Sequence, residues 1–172
     1  MNLNDTDFEL FDVPATFAQD RDVLDARWKA LQREAHPDRF AAQGAAAQRI
    51  AMQWSVRINE AYQRLKDPVK RATYLCELNG APLNAEDNTA MPGDFLMQQM
   101  HWRESLDDVV DETGIDQLRA EVDVARTRAL SSLDWMIDEN GDYPAAAQQV
   151  RALMFTERFA HDIEMKADAL GQ

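Results

Sequence analysis

The chain reads as an all-α protein with an N-terminal helical hairpin and a C-terminal antiparallel three-helix bundle. Three observations predict this. Only six glycines and six prolines occur in 172 residues. Long stretches place apolar side chains three and four apart, the period of an amphipathic helix. The glycines, prolines and asparagines that do occur cluster between those stretches, where helices must stop.

The first long helix is expected to start behind an Asp20 cap and to run to about His36, with Leu24, Trp28, Leu31 and Ala35 on one stripe. Pro37 ends it, because the residue before a proline is pushed out of the α region. A loop around Phe40 to Gly44 leads to a second helix from about Ala45 to Leu65. Its stripe is Ala47, Ile50, Ala51, Trp54, Ile58, Ala61, Tyr62 and Leu65. Two facing stripes predict an antiparallel hairpin. Asp67-Pro68 is a cap followed by a favoured first-turn proline, and Gly80 is a helix stop, so a shorter helix is expected over about Pro68 to Asn79.

Ala81 to Gly93 holds two prolines and two asparagines and loses the periodicity, which marks residues 81–93 as a linker between a domain at 1–80 and one at 94–172. Three longer helices follow, from Asp94 to Glu112, Ile115 to Glu139 and Tyr143 to Leu170, with breaks expected at Gly114 and at Asn140-Gly141-Asp142.

Composition narrows the function. With 45% hydrophobic and 8% aromatic residues, the chain can bury an ordinary core. Its acidic N-terminus has no basic leader region, and no apolar run approaches the roughly 18 residues of a membrane helix. A cytoplasmic address without membrane contact is the expectation. The net charge is −13, and residues 80–172 carry 19 acidic against 7 basic side chains. Such a half would repel a phosphate backbone, so no nucleic acid is expected as partner. Cys76 is the only cysteine, which excludes an internal disulfide and reads as a small buried hydrophobe.

Two surfaces remain as candidates. On a helix turning about 100° per residue, Lys29, Arg33 and His36 lie away from the Leu24 stripe and face solvent. Pro37, Asp38 and Arg39 follow in the turn. His36-Pro37-Asp38 belongs to no nucleophile motif, no glycine-rich phosphate loop is present, and His101 and His161 lack metal-ligand spacing. An enzyme is therefore not expected. On the helix from Asp94, the residues Phe95, Trp102, Leu106, Val109 and Val110 should face the core. Met97, Met100, His101, Glu104 and Asp108 lie opposite, with Leu96 at the margin. One apolar face suffices for a bundle helix, so methionines opposite it suggest an exposed binding patch. The alternative is that they fill an irregular core or a contact with the first domain.

His36-Pro37-Asp38 at the turn of a helical hairpin, followed by the run from Asp67 to Tyr74, resembles the J-domain of DnaJ-type co-chaperones. With an acidic bundle after it, Phe95-Leu96-Met97, and the run Arg151 to Phe155, nearly the whole chain resembles the iron-sulfur cluster co-chaperone family HscB. The absence of N-terminal zinc-binding cysteine pairs points to the bacterial type. The resemblance implies that Lys29, Arg33, His36, Pro37, Asp38 and Arg39 meet a DnaK-type chaperone, HscA, whose arginine Asp38 would engage. It also implies that Leu96, Met97, Met100, His101, Glu104, Asp108 and Phe155 hold the iron-sulfur scaffold protein IscU. Phe155 could instead be a core aromatic. His101 stands where related sequences often carry an acid, which would weaken a charge contact or make binding sensitive to pH.

The expected function is delivery of scaffold to chaperone with stimulation of the chaperone ATPase. The chain itself would hold no cofactor and would be monomeric when free. The rivals are a J-protein serving a housekeeping chaperone, an adaptor dimerising through its methionine face, and a metal-dependent enzyme.

Overall fold

The computed structural model describes residues 1–171 as seven α-helices joined by short turns, with no strand among them. They form two compact units, Met1–Leu75 and Cys76–Gln172.

In the first unit a one-turn helix α1 (Asp7–Leu10) precedes α2 (Arg21–Ala35) and α3 (Ala45–Lys66). The helix α4 (Pro68–Leu78) belongs to it as far as Leu75. The sequence Thr6-x-x-Glu9 is a reciprocal capping box, with Thr6 accepting from the Glu9 amide and Glu9 reaching back to the Thr6 amide. That box is what allows so short a helix, and it drives Phe8 and Phe11 into the core.

The hairpin of α2 and α3 is aligned by polar side chains. Trp28 Nε1 and Gln32 Nε2 both donate to Asn59 Oδ1 at 2.8 Å, and Ser55 Oγ donates to Gln32 Oε1 at 2.8 Å. Leu24, Ala35, Ala51, Ile58, Ala61 and Leu65 close the seam between them. This register explains a departure from the expected stripe: Ile50 is 56% exposed. With Trp28 opposite Asn59 and Gln32 opposite Ser55, Ile50 lies across from the residues after Ala35, where α2 has already ended. The segment expected as a loop from Phe40 is instead a 3-10 helix, Pro37–Gln43, closed by Gly44 at φ +99°, a conformation glycine tolerates.

Asp67 accepts from the amides of Val69 and Lys70, starting α4 as its sequence demands. Buried Arg71 donates to the carbonyls of Phe17 and Leu65, each at 2.6 Å, and its guanidinium lies over the Phe17 ring.

In the second unit α5 (Gly93–Asp108), α6 (Glu112–Asp134) and α7 (Tyr143–Leu170) pack as a three-helix bundle. Its centre is Trp102, stacked on Phe159 at 5.4 Å and met edge-on by Phe95 at 6.2 Å. Leu106, Ile115, Leu118, Val122 and Ile163 surround them. The Trp102 indole N–H is buried without an acceptor among the described residues. That costs about 1–3 kcal/mol, which burial of so large a ring at about 25 cal/mol per Å² outweighs.

The expected break at Gly114 lies elsewhere. Asp111 caps α6 by accepting from the Gly114 amide at 2.9 Å, so Gly114 sits inside the first turn and the chain bends at Val109 to Asp111. The two Val109 methyls stand 3.3 Å from where a Cβ on Gly114 would be; a close approach, rather than a stop, is what the glycine serves. With α5 ended at Asp108, Val110 points away from the bundle and is 80% exposed, not part of the core. At its far end α6 widens into one π turn, Trp135–Glu139, where the Asn140 amide donates to the Trp135 carbonyl. Gly141 and the Asp142 cap then start α7, as the sequence requires.

Residues 81–93, read from sequence as a linker, include buried Leu83 and, at Gly93, the first residue of α5. They are tied to α7 by Arg151, which donates from Nε to the Leu83 carbonyl and from Nη1 to the Ala90 carbonyl, both at 3.0 Å. No helix among the described residues is long and apolar enough to cross a membrane.

Candidate functional site

The first candidate surface is built at the end of α2. His36 is extended, at φ −61° and ψ 128°, because Pro37 follows it. Its Nδ1 accepts the Asp38 amide at 3.2 Å, so the neutral ring carries its proton on Nε2. The Asp38 carboxylate stands 3.7 Å from the same nitrogen with its side chain almost wholly in solvent. Arg39 folds back along α2, its Nη1 donating to the Arg33 carbonyl at 3.2 Å, while Arg33 Nε donates to the Lys29 carbonyl at 3.4 Å. The first of these bonds satisfies the Arg33 carbonyl, which the end of α2 leaves open because Pro37 has no amide proton to offer it. Gln32, Arg33, His36 and Arg39 line one shallow groove. Lys29, Arg33, His36, Asp38 and Arg39 are all exposed and Pro37 is half-buried, so a cationic strip ends in one accessible carboxylate.

The second lies on the outer face of α5. Trp102 and Leu106 point inward, which turns Leu96, Met97 and Met100 outward at 56%, 76% and 65% exposure. His101, Glu104 and Asp108 are exposed on the same outer surface. The methionines do not fill the bundle core. Phe155 on α7 is half-buried; its ring meets Phe95 edge-on at 6.0 Å.

The rims of this surface were not legible as site residues from sequence. On one side Arg103, paired with Asp162 at 2.9 Å, lies 5.5 Å from the Phe155 ring, and Arg158 lies 5.9 Å from it. Phe155 shares a groove there with Arg158 and His161. On the other side His101 shares a groove with Gln98, Glu121, Val124 and Arg128. No periodicity or motif marks Arg128 or Arg158; only the folded bundle brings them beside α5.

Away from the patch the charges of α6 and α7 pair with one another. Arg119 reaches Glu164 at 2.7 Å, Asp116 at 2.9 Å and Glu112 at 3.3 Å, and Arg126 reaches Glu157 at 2.6 Å. The Glu164 hydrogen bond holds the Arg119 guanidinium above its ordinary range and Arg119 holds the Glu164 carboxyl below its own. Near the π turn, desolvation and then Asp138 push the Asp134 carboxyl up. Among the described residues no group of three or more His, Cys, Asp and Glu side chains could hold a metal ion.

Residues 91–164 match the family model described as the HscB C-terminal oligomerisation domain. The co-chaperone protein HscB homolog of Burkholderia multivorans is 48% identical over 173 residues, spanning 99% of this chain and 98% of that protein. The solved chaperone HscB of Vibrio cholerae superposes with a TM-score of 0.82 at 34% identity, over 96% of this chain and 99% of that one. Human co-chaperone protein HscB superposes with a TM-score of 0.88 at 22% identity, over 97% and 84% of the two chains, which shows a shared fold.

Proposed function

Since the chain belongs to the HscB family of co-chaperones, we propose that it serves iron-sulfur cluster assembly in the cytoplasm, binding the scaffold protein IscU and delivering it to the DnaK-type chaperone HscA. The observation that carries this reading is the exposed apolar patch of Leu96, Met97 and Met100, set opposite the buried Trp102 on α5. Contiguous apolar side chains on a bundle with a filled core are a docking face.

IscU rests on this patch, with Glu104, Asp108 and His101 supplying polar contacts and Phe155 an aromatic edge. HscA meets the strip of Lys29, Arg33, His36 and Arg39. Asp38 accepts a charge-assisted hydrogen bond from a chaperone arginine, and that bond is made best in the state competent for hydrolysis. The chain catalyses no bond change. Holding client and chaperone on one chain raises their effective concentration for each other.

The test is steady-state ATP hydrolysis by purified HscA with IscU, adding this protein or its Asp38→Ala variant. Strong stimulation that the variant loses is the expected result. Equal stimulation by both would defeat the reading.

The description of the matched family model as an oligomerisation domain favours a second reading, self-association through the methionine face. Sedimentation at several concentrations separates the two, because the first requires a predominantly monomeric free protein.

A further inference from the structure

Resting on the reading of α5 as the scaffold-binding face, we infer that Arg128 and Arg158 are specificity-determining cations that bracket the face, and that its partner presents an apolar centre flanked on both sides by carboxylates. The second unit is strongly acidic, and most of its bases are committed: Arg103 to Asp162, Arg119 to three carboxylates, Arg126 to Glu157, Arg151 to backbone carbonyls. Arg128 and Arg158 are exposed and have no carboxylate partner among the described residues.

Their placement is what carries the inference. Arg128 opens into the groove between α5 and α6 that His101 and Gln98 also line, and Glu121 lines that groove without pairing to it. Arg158 opens into the groove between α5 and α7, against the Phe155 ring, where Asp162 is already taken by Arg103. Unpaired cations thus stand on both rims of an apolar patch whose own charges, Glu104 and Asp108, are negative. In so acidic a domain they are the features that attract carboxylates and repel a partner with basic flanks.

The test measures association of apo IscU with the full chain and with Met97→Ala, Arg128→Glu, Arg158→Glu and Lys70→Glu, at low and high salt. Lys70 is exposed in the first unit and matches the change in net charge. Far-ultraviolet circular dichroism checks that each variant keeps its helices. Each arginine reversal should weaken binding about three- to tenfold, chiefly through slower association and less at high salt, with Lys70→Glu near native. Loss with Met97→Ala but arginine variants no weaker than Lys70→Glu would overturn the bracket alone. Native binding by Met97→Ala would sink the scaffold-binding reading, and the bracket with it.

Discussion

Asp7 and Arg64 form a two-point ion pair, Nε to Oδ2 at 2.6 Å and Nη2 to Oδ1 at 2.9 Å, with the carboxylate wholly removed from solvent. Arg57 adds a third bond at 2.7 Å, and the Tyr74 hydroxyl takes the Asp7 amide at 3.0 Å. Arg64 also lies over the Tyr74 ring. Removing one member of such a cluster strands the rest. Asp7→Ala should lower the stability of the first unit by about 3–5 kcal/mol, read from urea unfolding. A change below about 1 kcal/mol would mean the cluster is no anchor.

Tyr62 donates to Asp25 at 2.5 Å, and this bond, followed by the one from Arg21, holds the Asp25 carboxyl below its ordinary value of 3.8. A lowered folded value means the contribution to stability is complete above the unfolded value and is lost as pH falls through the folded one. Tyr62→Phe keeps the stack on Trp28 and removes only the hydroxyl. Its deficit in unfolding temperature should be present at neutral pH and close below about pH 4. A deficit that persists unchanged into acid would contradict the assignment.

Burial pushes the Cys76 thiol up to about 11. Thiolate is the reactive form, so iodoacetamide at pH about 8 should leave the native protein unlabelled and modify it fully in denaturant. Rapid labelling of native protein would show that the site opens.

Arg151→Met removes both bonds to the segment before α5 while keeping much of the side chain's bulk. The expected loss is about 2–3 kcal/mol, with faster amide exchange in residues 84–92 than in α7. Unchanged exchange there would show that Leu83 alone holds the segment.

Much of this was legible in advance because it rests on local rules. The caps at Asp20 and Asp67, the stop at Gly80 and the break at Asn140-Gly141-Asp142 follow from residue chemistry within one turn. The outward turn of Met97 and Met100 follows from period alone once Trp102 is taken as core. Ile50 and Val110 were misplaced because a stripe says which face is apolar but not where the neighbouring helix ends. Gly114 misled because a glycine inside a first turn and one that stops a helix look alike without the Val109 methyls. The capping box at Thr6 and Glu9 was a readable signal for α1. Arg128 and Arg158 carried none, since a cation without a partner is a property of the folded arrangement.

The guanidinium of Arg151 is satisfied by carbonyl dipoles of Leu83 and Ala90, not by an acid. Amide dipoles take up no proton in the ordinary acid range, and counterions screen short buried contacts poorly. The approach to α5 is therefore fastened by an acid-proof and brine-proof clasp. The pairs of Arg119 and Arg126, half-buried arginines on exposed carboxylates, loosen as carboxylates protonate or salt rises. Acid should soften the outer edges of the bundle before it releases the strap that leads into the docking helix.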